Sequence, residues 1–479
     1  MWHDTYLSTV LGPDYAHARA HLLPHLFDAL TAHALMLDAQ GVSQADRAVA
    51  GLRVLRRDPF PPHDPCVEDV FFALDQRLAE WDAGAAGALR TALSRNDLDM
   101  TLYRLSAREH LLDALRRLLT LRGTLLDLAG REVETVIVAY THHQPAQPTT
   151  LAHYLAAVEN VLSRDTERFL GALTRVNLSP MGAVALAGTS FPTDRALTAR
   201  LLAFDRPVEN TYDAVSTSDW QVELAGVVTA AATTLSRTLY DLLLWASRGL
   251  ISLQHGLTQG SSIMPQKRNP VALEHARAKL GKAVGSAQSV VLCAHNIPFG
   301  DVNDPGTDVQ PPLHAMWQEF GEAVDLLSAA LADPRIARAA WRREAEEGDA
   351  MVTELADTLA RQGGRGFREA HATVKALLAR LEASERGVTS TTVEDLHALG
   401  VSLSEEELRS ALDPAAFVAR RTTLGGPAPS VMRPAIAAAR TRLEGDWQRQ
   451  ETYLRRFAEA RAHLEGDRNH VSLTHASGE

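Results

Sequence analysis

The sequence predicts an all-α fold built on a bundle of long helices with short connections. Three observations predict it. Behind Ser106, apolar residues recur at helical spacing, at Leu112, Leu115, Leu119 and Leu126. The same period returns over Leu151 to Leu162, Val222 to Leu243 and Val271 to Val291, mostly in runs longer than an average globular helix. Between them there is no convincing apolar–polar alternation of the kind that marks a half-buried strand.

Taken in order, residues 1–105 form an N-terminal helical region. His25 to Leu37 carries an apolar stripe at Leu26, Leu30, Ala34 and Leu37. The proline-rich Asp58 to Pro65 is a loop, and Val67 to Leu78 resumes a helix. Residues 106–343 are the central bundle, opened by a capping box at Ser106-x-x-Glu109. Its Val271 to Val291 segment places Ala276, Leu280, Val284, Ala287 and Val291 on one face. Several of these helices are apolar on more than one face, so burial between subunits is expected. Residues 344–479 form a smaller helical region. Helices are expected at Glu354 to Ala360, Arg368 to Leu381 and Ser404 to Leu412, with Thr389 to Ala398 as a connection. Asp413-Pro414 reads as an N-cap followed by proline at the first helical position. Gly425 to Pro429 is a loop, Ser430 to Glu465 a last helix, and Gly466 to Glu479 a polar tail.

The net charge of −11 argues against nonspecific nucleic-acid binding and against an anionic membrane surface. No segment reads as a membrane span or as a secretory signal. The two cysteines, Cys66 and Cys293, exclude a disulfide framework and point to a reduced, cytoplasmic setting.

The chemistry concentrates in loops. Gly256 to Pro270 combines glycines, paired hydroxyls, a lysine, an asparagine and two prolines between long apolar helices. Ser94-Arg95-Asn96-Asp97 opens with a hydroxyl, a guanidinium fork and an amide, a set suited to a carboxylate. In Tyr140-Thr141-His142-His143-Gln144-Pro145-Ala146-Gln147-Pro148 the prolines stop one helix and the polar run opens the next, where anions are favoured. His142 can titrate near neutral pH. The adjacent His142 and His143 make a poor metal pair, because neighbouring side chains diverge. Leu186 to Pro192 is a loop able to close a site, and Asp213 to Asp219 reads as a capping segment.

The ordered motif G-S-S-x-M-P-x-K-x-N-P at Gly260 to Pro270 resembles the signature of the fumarase/aspartase superfamily. Together with S-R-N-D, Y-T-H-x-Q-x-A-Q-P, A-L-A-G-T-S-F-P-x-D-R at Ala185 to Arg195 and D-A-V-S at Asp213 to Ser216, it is similar to the argininosuccinate lyase branch. F-R-E-A-H at Phe367 to His371 and G-G-x-A-P at Gly425 to Pro429 extend the likeness to the C-terminal region. The resemblance implies three mostly helical domains in a homotetramer whose active sites draw on three subunits. It implies β-elimination of fumarate from an N-substituted aspartate, with no cofactor and no metal. It makes Ser261 the base and His142 the acid or the base's partner, with Glu274 pairing His142 across subunits. Lys267 and Asn269 would hold the aci-carboxylate. Ser94, Arg95, Asn96, Thr141, Gln144, Ser262, Met264, Thr307 and Gln310 would bind the substrate, with Arg95, Asn96 and Thr141 holding the succinyl carboxylates.

The departures lie on the leaving-group side. Where such lyases carry a tyrosine, a glutamine and a lysine after the bundle helix, Val302, Thr307 and Gln310 stand here. Ser218 and Leu93 replace arginines. The expected substrate is therefore argininosuccinate or a close variant. The alternatives are a hydrazino-, nitro- or other amine-bearing succinate, or a noncatalytic structural relative.

Overall fold

The computed structural model describes residues 2–362 and 366–466; the expected tail beyond Gly466 lies outside them. Five of the long helices among the described residues form the central bundle. Helix α1 (Arg95–Arg131) has 37 residues, about 55 Å at 1.5 Å per residue. Helix α2 spans Leu151–Val176, α3 Asp219–Ser247, α4 Val271–Cys293 and α5 Gln310–Ala332. They share one apolar core, in which Leu115, Leu155, Leu235, Leu280 and Phe320 are wholly or almost wholly buried. On α4 the buried stripe runs through Ala276, Leu280, Ala283, Ala287 and Val290, while Val284 and Val291 are only half-buried. No helix among the described residues is long and apolar enough to cross a membrane.

Two expectations are overturned here. Helix α1 starts eleven residues before Ser106, capped by Ser94, whose Oγ accepts from the Asn96 N–H. Ser106 is buried in mid-helix and caps nothing, so a division at residue 105 would cut this helix. Second, Tyr140 to Pro148 does not open a helix. It forms a hairpin of β1 (Val136–Thr141) and β2 (Gln144–Thr150), with Thr141 opposite Gln144. Pro145 and Pro148 have no N–H to donate, and the ladder shifts register between Ala139 and Tyr140. The hairpin's Val136 and Val138 pack against Met351, Phe417 and Val418 of the C-terminal region.

That C-terminal region has its own small core, with Leu355, Leu359, Val374, Leu377 and Leu408 at its centre. Its helices include α6 (Val352–Gln362) and α7 (Phe367–Ala383). The stretch read as a connection, Thr389 to Ala398, contains a short helix at Val393–His397 with a capping box from Thr392 and Asp395. Asp413 caps as expected, accepting from the amides of Ala415 and Ala416. The last helix, α8 (Pro429–Glu465), returns along the bundle. There Arg122 of α1, wholly buried, donates from Nε to Glu159 at 2.9 Å and from Nη1 to Thr166 at 3.0 Å and to Asp446 at 2.5 Å. One guanidinium thus joins α1, α2 and α8.

Candidate active site

The site residues fall into two groups at opposite ends of the bundle. Helix α4 separates them: the signature loop precedes its first residue, and the altered loop follows its last. With 23 residues it is about 35 Å long.

At the first end lies the signature loop. It is closed at its base by two backbone hydrogen bonds between Gln259 and Asn269, of 3.0 and 2.8 Å. Within it the Ser261 Oγ accepts from the amides of Ile263 (3.3 Å) and Met264 (3.1 Å). Two N–H dipoles aimed at one hydroxyl oxygen stabilise negative charge on it. Ser262, Met264 and Lys267 are exposed, Asn269 is half-buried, and Glu274 is exposed in the first turn of α4. Ile263, at the loop's apolar tip, is 84% exposed.

The hairpin turn sits at the same end. Arg248, just past α3, reaches the Tyr140 hydroxyl, and the His143 ring stands 6.5 Å from that of Tyr240. His142 and His143 occupy a two-residue turn, both in the left-handed region, at φ 51° and 62°. That geometry suits a tight hairpin but is costly for residues with a Cβ. Thr141, His142, His143 and Gln144 are all exposed. His142→Gly is expected to raise the thermal midpoint, by about 0.5–1 kcal/mol of stability, while lowering turnover. Differential scanning calorimetry alongside an activity assay checks both signs.

At the other end, Ser94, Arg95 and Asn96 meet the loop after α4. The Asn96 amide donates to Asp301, and Gln221 of α3 donates to the Pro305 carbonyl at 2.8 Å. Thr307 lines cavities here, while Gln310 is buried and donates back to the Gly306 carbonyl at 2.9 Å. Arg95 does not offer a free fork. Its guanidinium lies 2.7 Å from Glu68, 2.7 Å from Asp69 and 3.7 Å from Asp99. Asp97 is a structural member of its motif: wholly buried, it accepts from the Gly182 amide at 2.7 Å, and burial pushes it up to about 6.

The carboxylates around Arg95 are the residues that sequence reading missed. Only Asp99 stands near Arg95 in sequence; Glu68 and Asp69 are brought to it by the fold. Burial pushes Asp99 up to about 7; Arg95 opposes the rise, and Asp69 and Asp301 add to it. The folded protein therefore holds a proton that the unfolded chain releases near pH 3.8. This contribution to stability is complete below about pH 4 and is lost as the pH rises through 7. In Asp99→Asn the fall in thermal midpoint between pH 5 and pH 8 should shrink, measured against the unsubstituted protein. Among the described residues, no group of three or more His, Cys, Asp or Glu side chains could hold a metal ion.

Long helices ending in a serine-bearing signature loop and a histidine turn define a helical lyase of the fumarase/aspartase superfamily. Comparison with known proteins narrows this. A family model described as Lyase matches residues 73–285, and one described as Argininosuccinate lyase C-terminal matches residues 349–419. The chain is 36% identical over 455 residues to Argininosuccinate lyase 2 of Agrobacterium fabrum, covering 91% of this chain and 90% of that protein. It is 37% identical over 450 residues to the argininosuccinate lyase of Methanoculleus marisnigri, covering 90% and 88%. Among solved structures, EDDS lyase in complex with formate matches with a TM-score of 0.86 at 26% identity, over 94% of each chain. A class II fumarase from Schistosoma mansoni shares the fold, with a TM-score of 0.69 at 17% identity over 82% of this chain and 90% of that one. The chain belongs to the argininosuccinate lyase family. It is a carbon–nitrogen lyase that releases fumarate from an N-substituted aspartate.

Proposed function

We propose that elimination takes place in composite sites, where the first end of one chain meets the second end of another. The observation that carries this is the helix-length gap between the two groups. Ser261 and His142 belong to one end and Asn96 and Thr307 to the other, with α4 between them. A homotetramer, cytoplasmic like its two free cysteines suggest, satisfies this arrangement. The outer face of α4 supports it: Leu292 is 70% exposed, and the space beside Gly281 and Gly285 is open to a neighbouring helix.

In the assembled site Ser261 takes the proton from the carbon next to the succinyl carboxylate. The C–H electron pair is held as a doubly charged aci-carboxylate, stabilised by Lys267, Asn269 and the loop amides. That pair then forms the carbon–carbon double bond, and the C–N pair leaves on nitrogen. His142, oriented by Glu274, supplies or relays the proton the nitrogen takes up. Fumarate and an amine result, and no redox equivalent is needed. The Ser261 hydroxyl is the better base than Ser262, since two amides already favour its alkoxide. With Arg95 committed to Glu68 and Asp69, the ground-state carboxylates fall chiefly to Asn96, Thr141, Ser94 and Gln144. Ser262 and Met264 complete the wall, and Thr307 and Gln310 border the leaving group.

Mixing tests the composite reading. Ser261→Ala and Asn96→Ala, each inactive alone, are denatured together in equal amounts and refolded. Random assembly should restore about a quarter of the native activity, because that fraction of sites draws both intact residues from suitable subunits. No recovery, with tetramers present by gel filtration, would mean that each chain builds its own site.

A further inference from the structure

We propose that Arg248 and Glu344 are positioning residues for the elimination: both hold the Tyr140 hydroxyl, and through it they aim the His142 turn. This deepens the reading of the site given above and rests on it, since it takes His142 to handle the proton of the leaving nitrogen.

Near its tip the hairpin backbone alone fixes little. The ladder shifts register between Ala139 and Tyr140, and Tyr140 stands opposite Pro145, which has no N–H to give. Thr141 to Gln144 are exposed beyond it, with the two histidines in the left-handed region. An irregularity of this kind re-aims the side chain beside it. Here that side chain is the half-buried Tyr140. Its hydroxyl donates to Glu344 and accepts from Arg248, whose guanidinium also lies 2.8 Å from Glu344. Both bonds to the phenol are therefore charge-assisted. Burial and Glu344 together keep the phenol protonated, so that it can donate.

The two anchors sit on a rigid frame. Arg248 is the residue at which α3 ends. Glu344 belongs to the helix Arg338–Glu347, whose first residue donates from Nε to Glu132 at 2.9 Å, between α1 and β1. Midway along that helix Trp341, 1% exposed, meets Trp245 of α3 edge-on at 5.2 Å. One helix thus braces β1 from behind, and Tyr140 is where the brace comes nearest the turn. His142 follows by two residues, roughly 7 Å of chain at most, so a shift of Tyr140 passes on with little slack. Arg248 is 36% exposed, and an ion pair so placed contributes little to stability. What it fixes is direction, and a displacement of about 1 Å can cost a reaction about 100-fold.

Fumarate release from argininosuccinate is followed in the ultraviolet, alongside hydrogen exchange over residues 136–150. In Tyr140→Phe, kcat should fall about tenfold while KM changes by less than about threefold. Arg248→Met should do the same, and Arg248→Lys, which keeps a cation for both partners, should recover most of the loss. Variants in two different elements keep the test open should one misfold. The hairpin amides should exchange faster in Tyr140→Phe than in the unsubstituted protein. The deciding measurement is made in a His142→Gln background. There Tyr140→Phe should cost less than about twofold, because the phenol acts through the imidazole. A full tenfold loss in that background overturns the inference and leaves Tyr140 a structural part. So do folded Tyr140→Phe and Arg248→Met proteins that keep the native kcat, and so does unchanged exchange in the hairpin. In each of these cases the reading of the site stands if His142→Gln alone is slow. A His142→Gln protein as fast as the unsubstituted one sinks the role given to His142, and this inference with it.

Discussion

Replacing Ser261 by alanine is expected to lower kcat for fumarate release by about 10³-fold, within the range for loss of a positioned base. KM should move far less, because the hydroxyl's main work is on a proton that leaves only in the transition state. The neighbouring Ser262→Ala should cost less than about tenfold. The contrast follows from two amides. The N–H groups of Ile263 and Met264 converge on the Ser261 Oγ, whereas the exposed Ser262 hydroxyl has no such pair. Steady-state kinetics on both variants, with gel filtration to confirm unchanged assembly, checks it. Equal losses in the two variants would move the base to Ser262 or to another group.

The largest stability loss is expected from Arg122→Ala. The guanidinium is wholly buried, and it satisfies Glu159 of α2 and Asp446 of α8 at once. Its removal leaves Glu159, itself 1% exposed, without its cation. Stranding a buried charge in this way costs roughly 3–5 kcal/mol. Arg449 still reaches Asp446 at 2.5 Å, so most of the damage falls on Glu159. The double variant Arg122→Met with Glu159→Gln should recover part of the loss. Denaturant unfolding of the three proteins measures both terms.

What the sequence disclosed depended on how local the signal was. The bundle helices could be read because their apolar residues repeat within a few positions, and the Asp413-Pro414 cap because it is two adjacent residues. The signature loop was legible as an ordered motif. The histidine turn was not, because tight hairpins of this kind are usually announced by Asn-Gly or Asp-Gly, and here two histidines bear the left-handed backbone themselves. Ser106 and Glu109 had the right spacing for a cap, yet Ser94 had already started the helix eleven residues earlier. The acidic surroundings of Arg95 were the hardest to foresee. Glu68, Asp99 and Asp301 come from three separate parts of the chain, and only tertiary packing brings them to one guanidinium.

The unbroken α4 helix has a consequence for how such a chain can change over time. It acts as a ruler between the loop that removes the proton and the loop that borders the amine. One added residue would turn one loop by about 100° relative to the other and move it by about 1.5 Å. Seven added residues would nearly restore the phase, but would lengthen this rod by about 10 Å against neighbours of the old length. Insertions and deletions are thus barred from the bundle, where only substitution is open. A lineage searching for new amines must edit the caps, above all residues 296–307, and inherit the ruler unaltered.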